Sequence, residues 1–136
     1  MNKMPTKLLV DTNFLLIPVR FKVDIFSESQ NAVNDVVEFF VSSRVLDEIQ
    51  ILKDRSKGAF VRELKLAEKL AENCTVIKDD SRARVDQSLI DLATREGMMI
   101  GTADSELRKN ARKASVKVVY LRQKRYLVLD GKRPNI

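Results

Sequence analysis

The chain has 136 residues, no His, a single Cys and a formal net charge of +6. That length is one ordinary domain. Without His there is no imidazole acid–base catalysis, no Ser-His or Cys-His nucleophile pair and no His-bound zinc or haem, and the lone Cys74 can close neither an internal disulfide nor a thiolate metal cage.

The elements follow in chain order. KLLVD (7–11) is a short strand of the buried type. Residues 14–34 predict two short helices broken by Pro18. VVEFFV (36–41) is rich in β-branched and aromatic residues and predicts a strand. Ser42 and Ser43 are cap candidates for a helix over 44–53. Phe60, Leu64, Ala67 and Ala71 recur at helical spacing and predict an amphipathic helix over 58–72. CTVI (74–77) is a strand, followed by a polar turn and a helix over 85–96 that Gly97 closes. A strand over 98–102, a helix over 105–114 and a strand over 116–121 come next, and 125–131 predicts a terminal strand.

Short strands alternating with helices predict an α/β fold, with a parallel sheet covered on both faces. No repeat or linker divides the chain, so residues 1–136 read as a single domain, with 122–136 a basic C-terminal strand or tail. No apolar run approaches the roughly 18 residues of a membrane span, and no signal-peptide pattern is present. A cytoplasmic protein with no membrane partner is the expectation. The P-loop, GxGxxG and GxSxG patterns are absent, and Asn13 stands where an aspartyl-phosphate phosphatase needs a second Asp.

Any catalysis must therefore rest on carboxylates, hydroxyls, Lys or Arg, and four carboxylates stand out. In an open α/β sheet, ligands bind at the carboxyl ends of the strands. Asp11 ends the first strand, and Asp104 follows the 98–102 strand just before a helix. On a helical wheel Glu48 falls beside Leu52 at the margin of an apolar arc, whereas Asp47 points away. Asp86 falls inside the arc of Leu89, Ile90, Leu92 and Ala93. Each acid alone reads equally well as a helix cap, a turn residue or a side chain reaching out from the edge of a buried face. Gathered together they would repel one another and call for divalent cations, and hard oxygen ligands select Mg²⁺ or Mn²⁺.

Charge is distributed unevenly. Residues 1–104 carry a balance of −2, and residues 105–136 carry +8. Such a block points to a polyanion such as nucleic acid, against the plainer reading of a solvated basic face. Arg108, Lys109 and Arg112 lie off the apolar side of the 105–114 helix, and Arg122, Lys124 and Arg125 follow the next strand. Arg82 and Arg84 precede Asp86. These eight are the candidate nucleic-acid-binding residues, and Tyr120 and Tyr126 read either as half-buried strand packing or as stacking platforms for single-stranded bases.

Val10-Asp11-Thr12-Asn13, the Glu of Leu46-Asp47-Glu48-Ile49, the helix-starting Asp86 and Thr102-Ala103-Asp104 together resemble the PIN-domain ribonucleases. Their order and spacing match over about residues 6–121. VDTNFLLI, GTADSELRKNARKASVKVVYLRQKRY and the basic tail resemble the rRNA-processing branch more closely. The resemblance implies a three-layer α/β/α sandwich with a central parallel sheet. It implies a Mg²⁺- or Mn²⁺-dependent endoribonuclease acting on single-stranded RNA, such as an rRNA precursor, and leaving 5′-phosphate and 3′-hydroxyl ends. Asp11, Glu48, Asp86 and Asp104 are the implied catalytic metal ligands, with Asn13 and Thr102 orienting them by hydrogen bonds. A homodimer is also implied. Gln87 departs from the pattern, because relatives often carry a second Asp there. A toxin ribonuclease held by a partner protein and a non-catalytic RNA-binding module are the alternatives.

Overall fold

The computed structural model describes residues 4–131. The elements are β1 (Thr6–Val10), α1 (Thr12–Phe21), α2 (Ile25–Val33), β2 (Val37–Ser42), α3 (Ser43–Arg55), α4 (Ala59–Ala71), β3 (Thr75–Ile77), α5 (Val85–Glu96), β4 (Met99–Gly101), α6 (Ser105–Lys113), β5 (Val118–Arg122) and β6 (Tyr126–Asp130). The α/β sandwich expected from the sequence is the fold observed. The strand order is β3-β2-β1-β4-β5-β6. The five strands β1 to β5 are parallel, and β6 returns antiparallel to β5, so the sheet is mixed rather than wholly parallel. The basic tail predicted over 122–136 is thus an edge hairpin as far as Asp130, and residues 132–136 lie outside the described region.

Pro18 does not break the first helix. It lies inside α1, where the chain instead stops at Lys22, a left-handed residue (φ 56°) whose N–H bonds to the Pro18 carbonyl at 3.1 Å. Pro18, in the second half of α1, forfeits only its own N–H bond to the preceding turn, whereas the left-handed turn redirects the backbone. Asp24 then caps α2 by accepting from the Phe26 N–H at 3.0 Å and the Ser27 N–H at 3.4 Å.

Helices α1 to α4 pack among themselves on one face of the sheet, and α5 and α6 pack together on the other. Leu8, Leu9, Val10, Val41, Ile100, Val118 and Val119 are fully or almost fully buried between the layers. They form the continuous apolar strands of a sheet covered on both sides. Phe14 of α1 seals the seam between β1 and β4. A Cβ at Gly101 would come within 3.1 Å of its ring, so a larger residue there would push the ring back by a few tenths of an ångström. Among the described residues no helix is long and apolar enough to cross a membrane.

The topology fixes where a site can lie. The chain passes from β1 outward to β2 and β3, then returns to place β4 on the other side of β1. The helices leaving β1 and β4 therefore depart on opposite faces. Between their carboxyl ends they leave a crevice, the topological switch point.

Candidate active site

Asp11 follows β1 and caps α1. Its Oδ1 accepts from the Phe14 N–H at 2.7 Å, and its Oδ2 accepts from the Thr102 hydroxyl at the end of β4. The Thr102 oxygen in turn accepts from the Asp104 N–H at 2.9 Å. Asp104 caps α6, with Oδ1 accepting from Glu106 N–H at 2.8 Å and Leu107 N–H at 3.3 Å. A continuous chain of hydrogen bonds thus runs across the crevice from α6 through Thr102 to α1. The cap reading and the site reading hold together, because a capping carboxylate stands at the helix mouth that faces the crevice.

Glu48 lies one turn into α3, half-buried, and accepts from the Thr12 hydroxyl at 2.6 Å. Ser42 starts that helix by accepting from the Val45 N–H at 3.1 Å. Asp86 sits in the first turn of α5. The loop before it is tied to α3. Ser43 Oγ accepts from the Asp79 N–H at 2.9 Å, and the Arg44 guanidinium donates to the Ala83 carbonyl. These ties set the start of α5 beside the start of α3.

The acids feel one another. Burial pushes the Asp11 pKa up from 3.8 to about 7; the Thr102 and Phe14 hydrogen bonds oppose the rise, and the charges of Asp104 and Asp86 add to it. Asp86 is raised too, first by burial, then by the Asp104 and Glu48 charges, with Arg84 opposing. Charge thus couples Asp11 to Asp104 and Asp86, and Asp86 to Asp104 and Glu48. Among the described residues no group of three or more acidic or thiol side chains is arranged to hold a metal ion as the side chains stand. The cluster is open, all-oxygen and electrostatically uncomfortable when empty of cations. That chemistry fits a hard divalent ion that keeps part of its water shell.

Some assignments need correcting. Asn13 is exposed and, among the described residues, makes no hydrogen bond to any of the four acids. The orienting hydroxyl next to Asp11 belongs to Thr12, which the sequence reading passed over. The available signal was position: the first helical residue after a capping Asp at a strand end faces the same crevice. Thr102 orients Asp11, as predicted. Gln87 is exposed and donates to Asp91 at 2.9 Å along the outer face of α5, so it adds nothing to the acid cluster.

The basic residues also divide. Arg108 lies 3.9 Å from the Tyr120 ring centroid and 3.8 Å from Asp130, and Arg112 lies 3.7 Å from Asp130 and donates to the Val116 carbonyl at 3.2 Å. Both pin the β5–β6 hairpin to α6 rather than standing free as phosphate contacts, and Tyr120 is covered rather than open to a base. Arg82, Arg84, Lys109, Arg122, Lys124 and Arg125 are exposed. Because β5 runs parallel to β1 and β4, the hairpin turn at 122–125 projects from the same sheet edge as the acids.

The sequence matches the PIN-like domain family over residues 8–124. The chain belongs to the PIN-like domain family. Two curated relatives are archaeal. Ribonuclease VapC4 of Methanocaldococcus jannaschii is 28% identical over 134 residues, covering 92% of this chain and 97% of that protein. Ribonuclease VapC9 of Archaeoglobus fulgidus is 26% identical over 122 residues, covering 90% and 87%. Among solved structures, the PIN domain endonuclease Utp24 superimposes with a TM-score of 0.76 at 16% identity, covering 93% of this chain and 92% of that one. A domain of a functionally unknown Methanocaldococcus jannaschii protein gives 0.63 at 15% identity, covering 86% and 91%. For this PIN-like domain the structural likeness establishes the fold, in which Asp11 and Asp104 stand at the crevice between β1 and β4.

Proposed function

We propose that this PIN-like domain is a divalent-metal-dependent endoribonuclease that hydrolyses single-stranded RNA at the carboxyl edge of its sheet. One observation carries the reading. Asp11 is a 7%-exposed carboxylate held by the Thr102 hydroxyl and the Phe14 N–H, with Asp86 and Asp104 close enough to raise its pKa. A buried acid among acids is a poor structural element and a good cation ligand. Asp11, Glu48, Asp86 and Asp104 would hold Mg²⁺ or Mn²⁺, which when bound supplies Lewis acidity toward the phosphodiester. The chain's own residues do the rest. Thr102 and Thr12 fix the orientation of Asp11 and Glu48, and α1, α3, α5 and α6 all begin at the carboxyl edge of the parallel sheet. Exposed Arg82, Arg84, Lys109, Arg122, Lys124 and Arg125 supply sequence-independent contacts to the RNA backbone.

An rRNA precursor is the substrate we infer, supported by the resemblance of the VDTNFLLI and GTADSELRKNARKASVKVVYLRQKRY segments to the rRNA-processing branch and by the basic C-terminal quarter. A homodimer in the cytoplasm completes that reading. The VapC-type relatives, matched over nearly the whole chain, favour a second reading as a toxin ribonuclease controlled by a protein partner. Cleavage of a fluorescent single-stranded RNA in Mn²⁺ or Mg²⁺ tests the activity. Asp11→Asn and Asp104→Asn should each lower the rate by about 10³-fold while circular dichroism stays unchanged. Equal cleavage by wild type and both variants would rule the enzyme out, and RNA binding without cleavage in either metal would make the domain a binding module.

A further inference from the structure

Beside the acid cluster, a groove of about 380 Å³ opens between α3 and the start of α5. That size falls within the range of small-ligand sites, about 300–1,000 Å³. Its wall is one stripe of α3, formed by Arg44, Asp47, Glu48, Ile51, Leu52 and Arg55, which Val85 faces from the residue before Asp86. The spacing i, i+3, i+4, i+7, i+8, i+11 puts these side chains on one helix face, with both carboxylates at its catalytic end. The stripe begins at a catalytic acid and continues onto an aliphatic patch. Ile51, 48% exposed, is one of the few large apolar side chains open to solvent.

The chemistry of the lining is specific. Arg44 stands at the catalytic end, its guanidinium already oriented by the Ala83 carbonyl. Arg55 stands at the far end, about 16 Å away along the helix axis. Among the described residues neither makes an ion pair with an acid. An aliphatic patch between two guanidiniums that pair with no acid, starting beside the acid cluster, matches a nucleotide. The patch takes the flat face of a base, and the cations take the phosphates on either side.

Resting on the ribonuclease reading above, we propose that this groove is a nucleotide subsite of the RNA substrate. The nucleotide next to the scissile phosphate lays its base on Ile51, Leu52 and Val85, with Arg44 beside its own phosphate and Arg55 reaching a phosphate further along the strand. The exposed basic residues elsewhere hold the backbone without regard to base. This subsite is where the enzyme feels a base.

An abasic walk tests it. A short single-stranded RNA carries one abasic residue at each position in turn, and binding is read by fluorescence anisotropy in calcium. Wild type should lose about 10-fold in affinity at one position, adjacent to the cleaved bond. Ile51→Ser, at an exposed position, should bind intact RNA about 10-fold more weakly and be indifferent to the abasic residue there. In turnover with Mn²⁺, Ile51→Ser should raise KM by a similar factor and leave kcat within about 2-fold. Arg55→Ala should weaken binding and reduce its salt dependence. The proposal is overturned if Ile51→Ser binds intact RNA like wild type, or if the abasic penalty survives the substitution. It is also overturned if sedimentation shows that Ile51→Ser splits a dimer while RNA affinity holds, because the face then belongs to a second copy of the chain. Binding requires no turnover, so loss of the subsite and absence of hydrolysis are separate outcomes.

Discussion

At the crevice, Asp11 is buried against Thr102 and Phe14, and Asp86 and Asp104 push its pKa further upward. At the C-terminal end, Arg108 and Arg112 lean on Asp130 and Tyr120, while Arg122, Lys124 and Arg125 stand in solvent on a hairpin turn. Both regions concentrate one sign of charge. In the first, the fold holds the charges together at a cost that a cation relieves. In the second, it neutralises the inner charges with a partner and lets the outer ones separate. A cluster maintained against repulsion is the stronger sign of chemistry, and an open fringe of cations is a sign of backbone contact.

The largest expected effect tests the strain at Asp11. Between 3.8 and about 7 the folded chain keeps this carboxyl protonated while the unfolded chain ionises it. The folded state then binds more protons, so the stabilisation is fully present below the unfolded value and is lost as pH rises through the folded one. In chelator, the protein should lose on the order of 4 kcal/mol from this group across that window. Asp11→Asn, which keeps the cap to Phe14, should flatten the slope in urea unfolding followed from acid to neutral pH. Parallel curves for the two proteins would mean that Asp11 ionises freely in the fold.

Next is Thr102, which links the two helix mouths. Thr102→Val removes the donor to Asp11 and the acceptor for the Asp104 N–H, and should cost about 1–3 kcal/mol in unfolding and 10–100-fold in cleavage rate. Thr102→Ser should restore most of the rate, a rescue that packing alone does not explain.

A smaller effect separates the two kinds of arginine. Arg122→Ala should lower the slope of log affinity against log salt by about 0.7 for single-stranded RNA, with stability unchanged. Arg108→Ala should leave that slope alone and instead loosen the hairpin, seen as a drop of a few degrees in Tm. The reverse result would exchange the two regions' roles.

The smallest effect concerns the turn that carries the basic fringe. Gln123 (φ 55°) and Lys124 (φ 57°) both adopt left-handed geometry in the three-residue loop between paired Arg122 and Tyr126, where the Arg125 N–H bonds to the Arg122 carbonyl at 3.1 Å. Gln123→Gly should add about 1 kcal/mol of stability by relieving one strained residue, with RNA affinity unchanged.

Much of the site was legible along the chain because its acids occupy positions with a local grammar. Asp11 ends an apolar strand, and Asp104 stands between a strand and a helix, so sheet geometry alone sends both to the carboxyl edge. Glu48 and Asp86 were visible as carboxylates against apolar arcs. Thr12 was not, because a hydroxyl at a helix start has many ordinary uses and only the approach of α3 gives it Glu48 as partner. Asn13 misled, being one residue further round the helix and therefore turned outward. Arg108 and Arg112 misled in the same way. Their spacing marks them as off the apolar face of α6, but only the returning β6 brings Asp130 to them. The groove beside α3 was not legible either, since Val85 joins Ile51 and Leu52 only when the 78–84 loop is tied back to the start of α3.

The sequence by itself determined the alternation of strands and helices, the strand-end acids and the excess of positive charge after residue 104, because these depend on periodicity, capping and composition within a few residues. Only the tertiary structure decided which charges are engaged and which are free, where α1 stops, and that β6 turns back antiparallel. Those outcomes depend on partners distant along the chain, and a side chain's energy depends on what surrounds it rather than on its neighbours in sequence.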